Sequence, residues 1–216
     1  MSNPNASSAI SPESPAPGSP GNDGAALSIS IPLPVLRVPM LDRERQLFAY
    51  EIVFHRELGD EKNLLQNVLS TITDGALTRL VRGNRAFLNM PAELLPEDSD
   101  VLLHQPRLGV VLQPGVATDL PLMKRLQQMA QRGCQFMLDA NDVDLESSLP
   151  LQTLLQMVQL VRLDASRMTP ETLRERAEYL HTRGIRVVAG QVNDHPTYER
   201  CLELPLQAIQ GRYLLI

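Results

Sequence analysis

The sequence predicts an α/β protein in which alternating strands and helices close into a barrel. The first observation is a repeated unit of helix, glycine and short apolar strand, which is typical of βα units around a parallel sheet. The second is that several strands end in a polar side chain, and barrels carry function at the carboxyl ends of their strands. The third is that no glycine-rich phosphate loop follows the first strand, which disfavours a dinucleotide-binding fold. A doubly wound open sheet remains the alternative.

The chain divides into a polar leader and a globular domain. Residues 1–30 are dominated by Ser, Pro, Ala, Gly and Asn and lack a periodic apolar face, so we expect a disordered tail there. We expect residues 31–216 to form one globular domain, because the remaining length suffices for one substantial core.

Two strand-like segments open this domain and are followed by a helical pattern. Residues 35–38 and 47–54 flank the polar residues 42–45, which predicts a β-hairpin. Residues 61–80 then carry apolar side chains at helical spacing, and Gly83 follows as a helix stop. The sequence therefore predicts a hairpin and then a helix before the alternating part begins.

The remainder of the domain alternates between short apolar strands and helices. The predicted strands are residues 86–89, 109–113, 135–139, 160–164 and 185–189. The predicted helices are residues 120–131, 151–158, 170–182 and 195–202. Thr169 suits the N-cap of the third of these helices and Pro170 its first helical position, which supports the assignment locally.

Charge and composition disfavour several classes of function. A formal net charge of −5 and a pI near 5.4 disfavour nonspecific nucleic-acid binding, which needs clustered Lys and Arg. No apolar run approaches the roughly 20 residues that span a bilayer, and no secretory signal opens the chain. We therefore expect a cytoplasmic protein with no nucleic-acid or membrane partner. Cys134 and Cys201 have neither metal-like nor disulfide-framework spacing, and we expect both to be packing residues.

The ordered set of strand ends resembles the bacterial EAL phosphodiesterase family, particularly the EAL part of EAL–HDOD proteins. Glu51-Ile52-Val53 stands where the name-giving Glu-Ala-Leu would be, and Gln210-Gly211 matches a Gln-Gly near the end of the domain. The segments that carry the resemblance are residues 37–42, 49–54, 88–90, 138–141, 161–164, 188–193 and 210–211. They cover the chain from Val35 onward, and they imply a TIM-like βα-barrel of the EAL type.

The resemblance also implies a two-metal site, from which this sequence departs. In active members of the family, two divalent ions between carboxylates activate the attacking water. Glu51, Asn89 and Asp139 keep ligands of the first metal. The departures are Gln113 for a Glu, Ala140 for an Asp and Gly190 for a Glu.

Other positions of the family's site have also changed. Arg162 stands in place of a catalytic Lys, where it keeps the charge but is a poor proton donor at neutral pH. The family's phosphate-contacting Arg is His55 here, and Arg56 is displaced by one position. From these departures we expect metal-dependent hydrolysis to be absent.

What remains is a set of residues at the expected mouth of the barrel. The resemblance assigns a remnant ligand-binding site to Glu51, His55, Arg56, Asn89, Asp139, Arg162, Asp164 and Gln210. We expect no catalytic residue, no metal and no cofactor. The carboxylates of Glu51, Asp139 and Asp164 are either ligands of one weak ion or ordinary hydrogen-bonding groups.

Three functional hypotheses follow from the resemblance and its departures. The leading one is a noncatalytic signalling module, a pseudo-phosphodiesterase that binds a protein partner or a second copy of itself. The alternatives are a cyclic-di-GMP receptor that binds without hydrolysis and an active cyclic-di-GMP phosphodiesterase, which would need substitute metal ligands. An unrelated barrel enzyme is a further class, because fold does not determine function.

The end of the chain carries a separate expectation. Residues 210–216 are expected to finish on an apolar strand at a point where family members continue, often into an HDOD domain. This pattern predicts either a barrel left incomplete by truncation or a surface covered by a partner.

Overall fold

The computed structural model describes residues 35–54, 76–92, 95, 107–141, 143–146 and 148–215. All of them belong to one structural unit, Leu33–Ile216. The predicted tail, residues 61–75 of the predicted first helix, His55 and Arg56 lie outside the described residues.

Eight strands close into a barrel in the order in which they follow one another along the chain. They are β1 Val35–Leu41, β2 Leu47–Phe54, β3 Ala86–Asn89, β4 Leu108–Leu112, β5 Gln135–Asn141, β6 Leu160–Asp164, β7 Arg186–Gly190 and β8 Ala208–Ile209. β1 runs antiparallel to both β2 and β8, and all other neighbouring strands are parallel. The predictions of a closed barrel and of an opening hairpin are confirmed.

Helices follow most of the strands. They are α1 Ala76–Leu80, α2 Leu120–Gln131, α3 Leu149–Leu155, α4 Pro170–Thr182 and α5 His195–Leu202, with 3₁₀ turns at Pro114–Thr118 and Arg212–Leu215. α2, α4 and α5 have their predicted bounds. Thr169 accepts a hydrogen bond from the backbone N–H of Thr172, which confirms its predicted role as N-cap.

The barrel axis is filled by a cluster of side chains from alternating strand positions. This inner cluster consists of Met40, Ala49, Phe87, Val111, Met137, Leu160, Val188 and Ala208. Gly109 makes room for it, because a Cβ there would lie 2.7 Å from the ring of Phe87. A larger apolar cluster packs the outer strand faces against the helices. Polar side chains on the inner face must therefore lie towards one end or the other of this cluster.

The structure corrects the expectation for the carboxyl end of the chain. Residues 212–215 form a 3₁₀ turn instead of an apolar strand, because Tyr213 donates its backbone N–H to the carbonyl of Val192. The eighth strand lies earlier, at Ala208–Ile209, and it joins β1 through the pair Leu41 and Ile209. The barrel is therefore closed within this chain.

Smaller corrections concern element boundaries. α3 begins at Leu149 and ends at Leu155, where residues 151–158 were expected. Ser148 causes the earlier start, since its side chain accepts from the backbone N–H of Leu151 and so caps the helix. β4 and β7 are each shifted by one residue from their expected positions, and β5 extends to Asn141.

Candidate functional site

Five polar side chains converge inside the barrel at the carboxyl ends of its strands. Glu51 comes from β2, Asn89 from β3, Asp139 from β5 and Arg162 from β6, and Gln210 directly follows β8. Each lies two residues after a member of the inner cluster on its own strand, so strand alternation points it to the same axis. The sequence prediction that these residues gather at one mouth is consistent with this geometry.

The guanidinium of Arg162 occupies the centre of this group. Its Nη1 donates to Oε2 of Glu51 at 2.6 Å and to Oε1 of Gln210 at 2.9 Å. Its Nε and Nη2 donate to the two oxygens of Asp139 at 3.1 and 2.6 Å, which is the bidentate geometry that arginine prefers with a carboxylate. One cation thus bridges two carboxylates from different strands.

The remaining bonds of Glu51 complete the network. Asn89 donates to Oε1 of Glu51 at 2.7 Å, and the side-chain amide of Gln210 donates to Oε2 at 2.7 Å. Glu51 and Asp139 are only 4% and 8% exposed. Every carboxylate oxygen of this pair is therefore engaged by a protein donor, as buried charges require.

Burial and ion pairing have opposite effects on the arginine. Burial by itself would lower the pKa of Arg162, but hydrogen bonds and charges of Asp139 and Glu51 outweigh it and raise the pKa above its usual value. Arg162 is thus a permanent cation within the group. It is 12% exposed at the side chain, so solvent screens these pairs only weakly.

Gly190 on the next strand leaves the space that the arginine stem occupies. A Cβ at Gly190 would lie 3.1 Å from both Cγ and Cδ of Arg162. The two positions that depart from the expected Lys and Glu are consequently in contact with each other. The sequence alone predicts two separate losses at these positions and gives no sign of this contact.

Asp164 lies above this network, at the mouth itself. Its Oδ1 accepts from the backbone N–H of Ser166 at 3.0 Å and from the hydroxyl of Ser166 at 2.6 Å, and its Oδ2 lies 3.7 Å from Nε of Arg167. It lines a cavity of about 310 Å³ together with Glu51, Asn89, Asp139, Arg162 and Gln210. Asp164 is thus near the five-residue network but is not bonded into it.

The same cavity has lining residues that sequence analysis did not select. Asn141 ends β5 and Gln191 directly follows β7, and both have positive φ angles, 44° and 57°. Asn193 accepts from the backbone N–H of Arg212, and both line the cavity. An Asn at a strand end is a recognisable signal for a left-handed residue, whereas the contribution of Arg212 depends on the unpredicted 3₁₀ turn.

The donor set does not fit a divalent ion. Arg162 already holds the oxygens of Glu51 and Asp139 that a metal would need, and its charge would repel the ion. Among the described residues, no three His, Cys, Asp or Glu side chains are grouped as they would be to hold a metal. Ala140 is fully buried in the outer core cluster, and Gln113 is exposed at the start of a 3₁₀ turn, so neither supplies a ligand.

Solved structures share this architecture. The chain has the fold of an EAL domain. The EAL domain of Mycobacterium smegmatis DcpA matches with a TM-score of 0.66 and 18% identity, over 83% of this chain and 90% of that one. The FimX EAL domain from Pseudomonas aeruginosa bound to cyclic-di-GMP matches with a TM-score of 0.61 and 17% identity, over 83% and 88%. The fold expected from the strand-end motifs is therefore confirmed.

A third EAL structure extends the comparison. The Bacillus subtilis YkuI protein, in complex with substrate cyclic-di-GMP and calcium, matches with a TM-score of 0.66 and 14% identity, over 84% of this chain and 55% of that one. No protein-family model matches the sequence, and no curated protein is similar to it in sequence.

Within this EAL fold, six of the eight residues assigned to the remnant site are described. Five of them form the bonded network and Asp164 lies beside it. His55 and Arg56 lie outside the described residues. None of the described helices is long and apolar enough to cross a membrane.

Proposed function

We propose that this chain is a degenerate EAL domain that acts as a noncatalytic signalling module through contact with a protein partner or a second copy of itself. The observation that carries the proposal is the guanidinium of Arg162, held between Glu51 and Asp139. The strand-end motifs of the sequence support a relationship to the EAL part of EAL–HDOD proteins.

The electrostatics of the network support the absence of hydrolysis. A two-metal site must gather several anionic oxygens to hold two dications against their mutual repulsion. Here Arg162 contributes one positive charge against the two negative charges of Glu51 and Asp139, so little net negative charge is left. The nearby Asp164 is bonded to Ser166, and Gly190 and Ala140 offer no oxygen from a side chain.

The test combines an activity assay with a metal titration. We expect no hydrolysis of cyclic-di-GMP in the presence of Mg²⁺ or Mn²⁺, and no saturable Mn²⁺ binding by calorimetry. The variant Arg162→Ala frees two carboxylates and should acquire one weak Mn²⁺ site, whereas Arg174→Ala should not. Arg174 is the matched control because it pairs with Glu203 on the exposed surface at 3.4 Å.

One result would overturn the proposal directly. Hydrolysis by the unmodified chain that disappears in Glu51→Gln would show that the network supports catalysis as it stands. Sedimentation equilibrium at rising concentration addresses the second half of the proposal, because self-association raises the apparent mass. A strictly monomeric chain would restrict the proposal to a different protein as partner.

A receptor for cyclic-di-GMP is the second candidate, and the cavity at the mouth favours it. Its volume of about 310 Å³ is at the lower end of the range of ligand pockets, and Asn141, Asn193 and Arg212 line it with hydrogen-bonding groups. EAL domains of the same fold have been solved with cyclic-di-GMP bound. Such a receptor would bind nucleotide without cutting it.

Calorimetry separates this candidate from the first. A heat of binding for cyclic-di-GMP, with or without divalent metal, that falls in Arg212→Ala and persists in Arg174→Ala would support the receptor. Absence of binding heat at high micromolar nucleotide would eliminate it.

A further inference from the structure

A second set of polar side chains lies at the opposite end of the barrel, where the strands begin. Arg85 directly precedes β3 and Arg186 opens β7. Their guanidinium carbons lie 5.5 and 6.0 Å from the ring centre of the same residue, Phe48, which packs beneath the inner cluster. Arg186 is also in register with Leu160 of that cluster, so it faces the barrel axis.

These two arginines are close enough to affect each other. Burial lowers the pKa of Arg186, and the positive charge of Arg85 lowers it further. In the part of the chain that the structure describes, neither guanidinium forms an ion pair with Asp or Glu. Arg162 differs from them, because it is paired with two carboxylates, whereas Arg85 and Arg186 both lie against the ring of Phe48.

A third polar side chain faces the same end of the axis. Gln135 begins β5 two residues before Met137 of the inner cluster, so alternation directs it inward. Its Oε1 is buried and has no hydrogen-bond partner within the described residues. A buried acceptor without a donor costs free energy, and a bound donor would relieve that cost.

A cavity lies beside Arg186. It has a volume of about 590 Å³ and extends between α3 and α4, with Arg183 and Arg186 on its wall. Leu155, Val158 and Ile185 supply its apolar lining. Its size lies within the range of small-molecule pockets.

We propose that this amino-terminal end of the barrel binds the phosphate group of a small phosphomonoester. Phosphate oxygens accept from both arginines, which present the planar donor forks that suit phosphate. The monoanionic form of the ester, which is populated below its second pKa of about 6, carries one hydroxyl, which donates to Oε1 of Gln135, whereas an ionised carboxylate has no donor to offer. The organic part of the ester occupies the adjoining cavity against Leu155 and Ile185.

The site is independent of the remnant EAL network. The two groups lie at opposite ends of the barrel, separated by the inner cluster of apolar side chains. Failure of either proposal therefore leaves the other standing.

The test uses inorganic phosphate and phenyl phosphate as probes at constant ionic strength and about pH 6, where both are populated in forms that carry a hydroxyl. Calorimetry and thermal unfolding should show saturable binding of both, with phenyl phosphate at least as tight because its ring enters the cavity. Arg85→Gln and Arg186→Gln should each weaken binding by at least about tenfold, the loss of one charge-assisted contact. The control Lys124→Gln, which removes an exposed charge on α2, should bind as the original chain does.

The same variants distinguish binding from a purely structural role. Without phosphate, both arginine variants should unfold at or above the original midpoint, since each removes one of two unneutralised like charges. A lowered midpoint in phosphate-free buffer, or an equal phosphate response in Arg186→Gln and Lys124→Gln, would overturn the proposal. An equal midpoint shift by sulfate would also overturn it, because sulfate is a tetrahedral dianion without the hydroxyl donor.

Discussion

At the scale of single residues, Arg162 acts as a tethered cation. A metal ion can leave its ligands, but a guanidinium on a strand cannot, so Glu51 and Asp139 share one positive charge in every molecule. Burying such a cluster contributes little net stability, because desolvation offsets the attraction between the charges. Removing one member is costly, since it leaves an uncompensated buried charge, at about 3–5 kcal/mol. The network therefore fixes geometry more than it stabilises the fold.

The contact between Gly190 and Arg162 predicts a measurable coupling. Gly190→Ala places a methyl group 3.1 Å from a stem whose head is pinned by four hydrogen bonds, so it should destabilise the chain by about 1–3 kcal/mol. Arg162→Ala removes that stem. In this background Gly190→Ala should reduce the free energy of unfolding by at least about 0.5 kcal/mol less than it does in the original chain. Urea unfolding of the two single variants and the double variant gives this coupling energy.

Gly115→Ala is the matched control for backbone effects in this comparison of single and double variants. A Cβ added at Gly115 would meet no atom within 4 Å, so Gly115→Ala should not couple to Arg162→Ala. Strict additivity of Gly190→Ala and Arg162→Ala would show that Gly190 does not make room for the arginine.

Residue chemistry at the site was only partly predictable from the sequence. The strand-end pattern selected Glu51, Asn89 and Asp139, and the family resemblance added Gln210. The structure bonds these residues into one network. The role of Arg162 was not predicted, because its effect depends on a rotamer that reaches across the barrel to two other strands. A single sequence does not predict which rotamer the side chain of Arg162 adopts.

At the scale of elements, four helices begin in the same way. A short polar side chain caps each one, and proline occupies the first or second helical position. The caps are Asp119, Ser148, Thr169 and Asp194. Each accepts from the backbone N–H three residues later, and so satisfies a donor that the helix leaves unpaired.

The chemistry of the cap decides whether its contribution depends on pH. The hydrogen bond from the backbone N–H of Thr197 lowers the pKa of Asp194, and the Thr197 side chain lowers it further. A carboxyl with a lowered folded-state pKa contributes stability above its unfolded pKa and loses it as the pH falls through the folded value. Asp194→Ala should therefore lower the urea midpoint at pH 7, and this difference should shrink below about pH 4.

Thr169→Ala is the uncharged counterpart. It removes a hydroxyl cap and should cost about 1 kcal/mol at every pH in that range. Parallel pH profiles for the two variants would contradict a charge-dependent cap at Asp194.

The element boundaries show how far the local sequence pattern predicts the structure. α2, α4 and α5 have their predicted bounds, because a cap, a proline and a closing turn mark both ends of each helix. β8 was missed, since two residues carry no periodic signal and become a strand only by pairing with Val188 and Ala189 of β7. The 3₁₀ turn at Arg212–Leu215 depends in the same way on the carbonyl of Val192.

At the scale of the whole molecule, closure of the barrel ties distant segments into one ring. Hairpin β1–β2 and strand β8 meet at the pair Leu41 and Ile209, so the first and last strands support each other. Cys134, directly before β5, and Cys201, on α5, are both buried in the outer cluster. Their positions on separate elements make these two thiols reporters of whether the ring opens as a unit.

Thiol labelling tests this directly. Burial raises the pKa of Cys134 and of Cys201 to about 11, so neither is a thiolate at neutral pH in the folded chain. With a chromogenic disulfide reagent at pH 8, both should react at least about a thousandfold more slowly than in denaturant, because labelling waits for unfolding. The single-cysteine variants Cys134→Ala and Cys201→Ala should give equal rates, since cooperative opening exposes both thiols together.

The pH profile of the same reaction identifies the reacting state. If labelling occurs in the opened chain, the rate should rise about tenfold per pH unit and level off near the ordinary thiol pKa of about 8.5. A rate that keeps rising towards pH 11 would mean that the thiols react within the folded barrel. One cysteine that reacts quickly while the other stays protected would instead show local opening of that element, and the barrel would not unfold as a single cooperative ring.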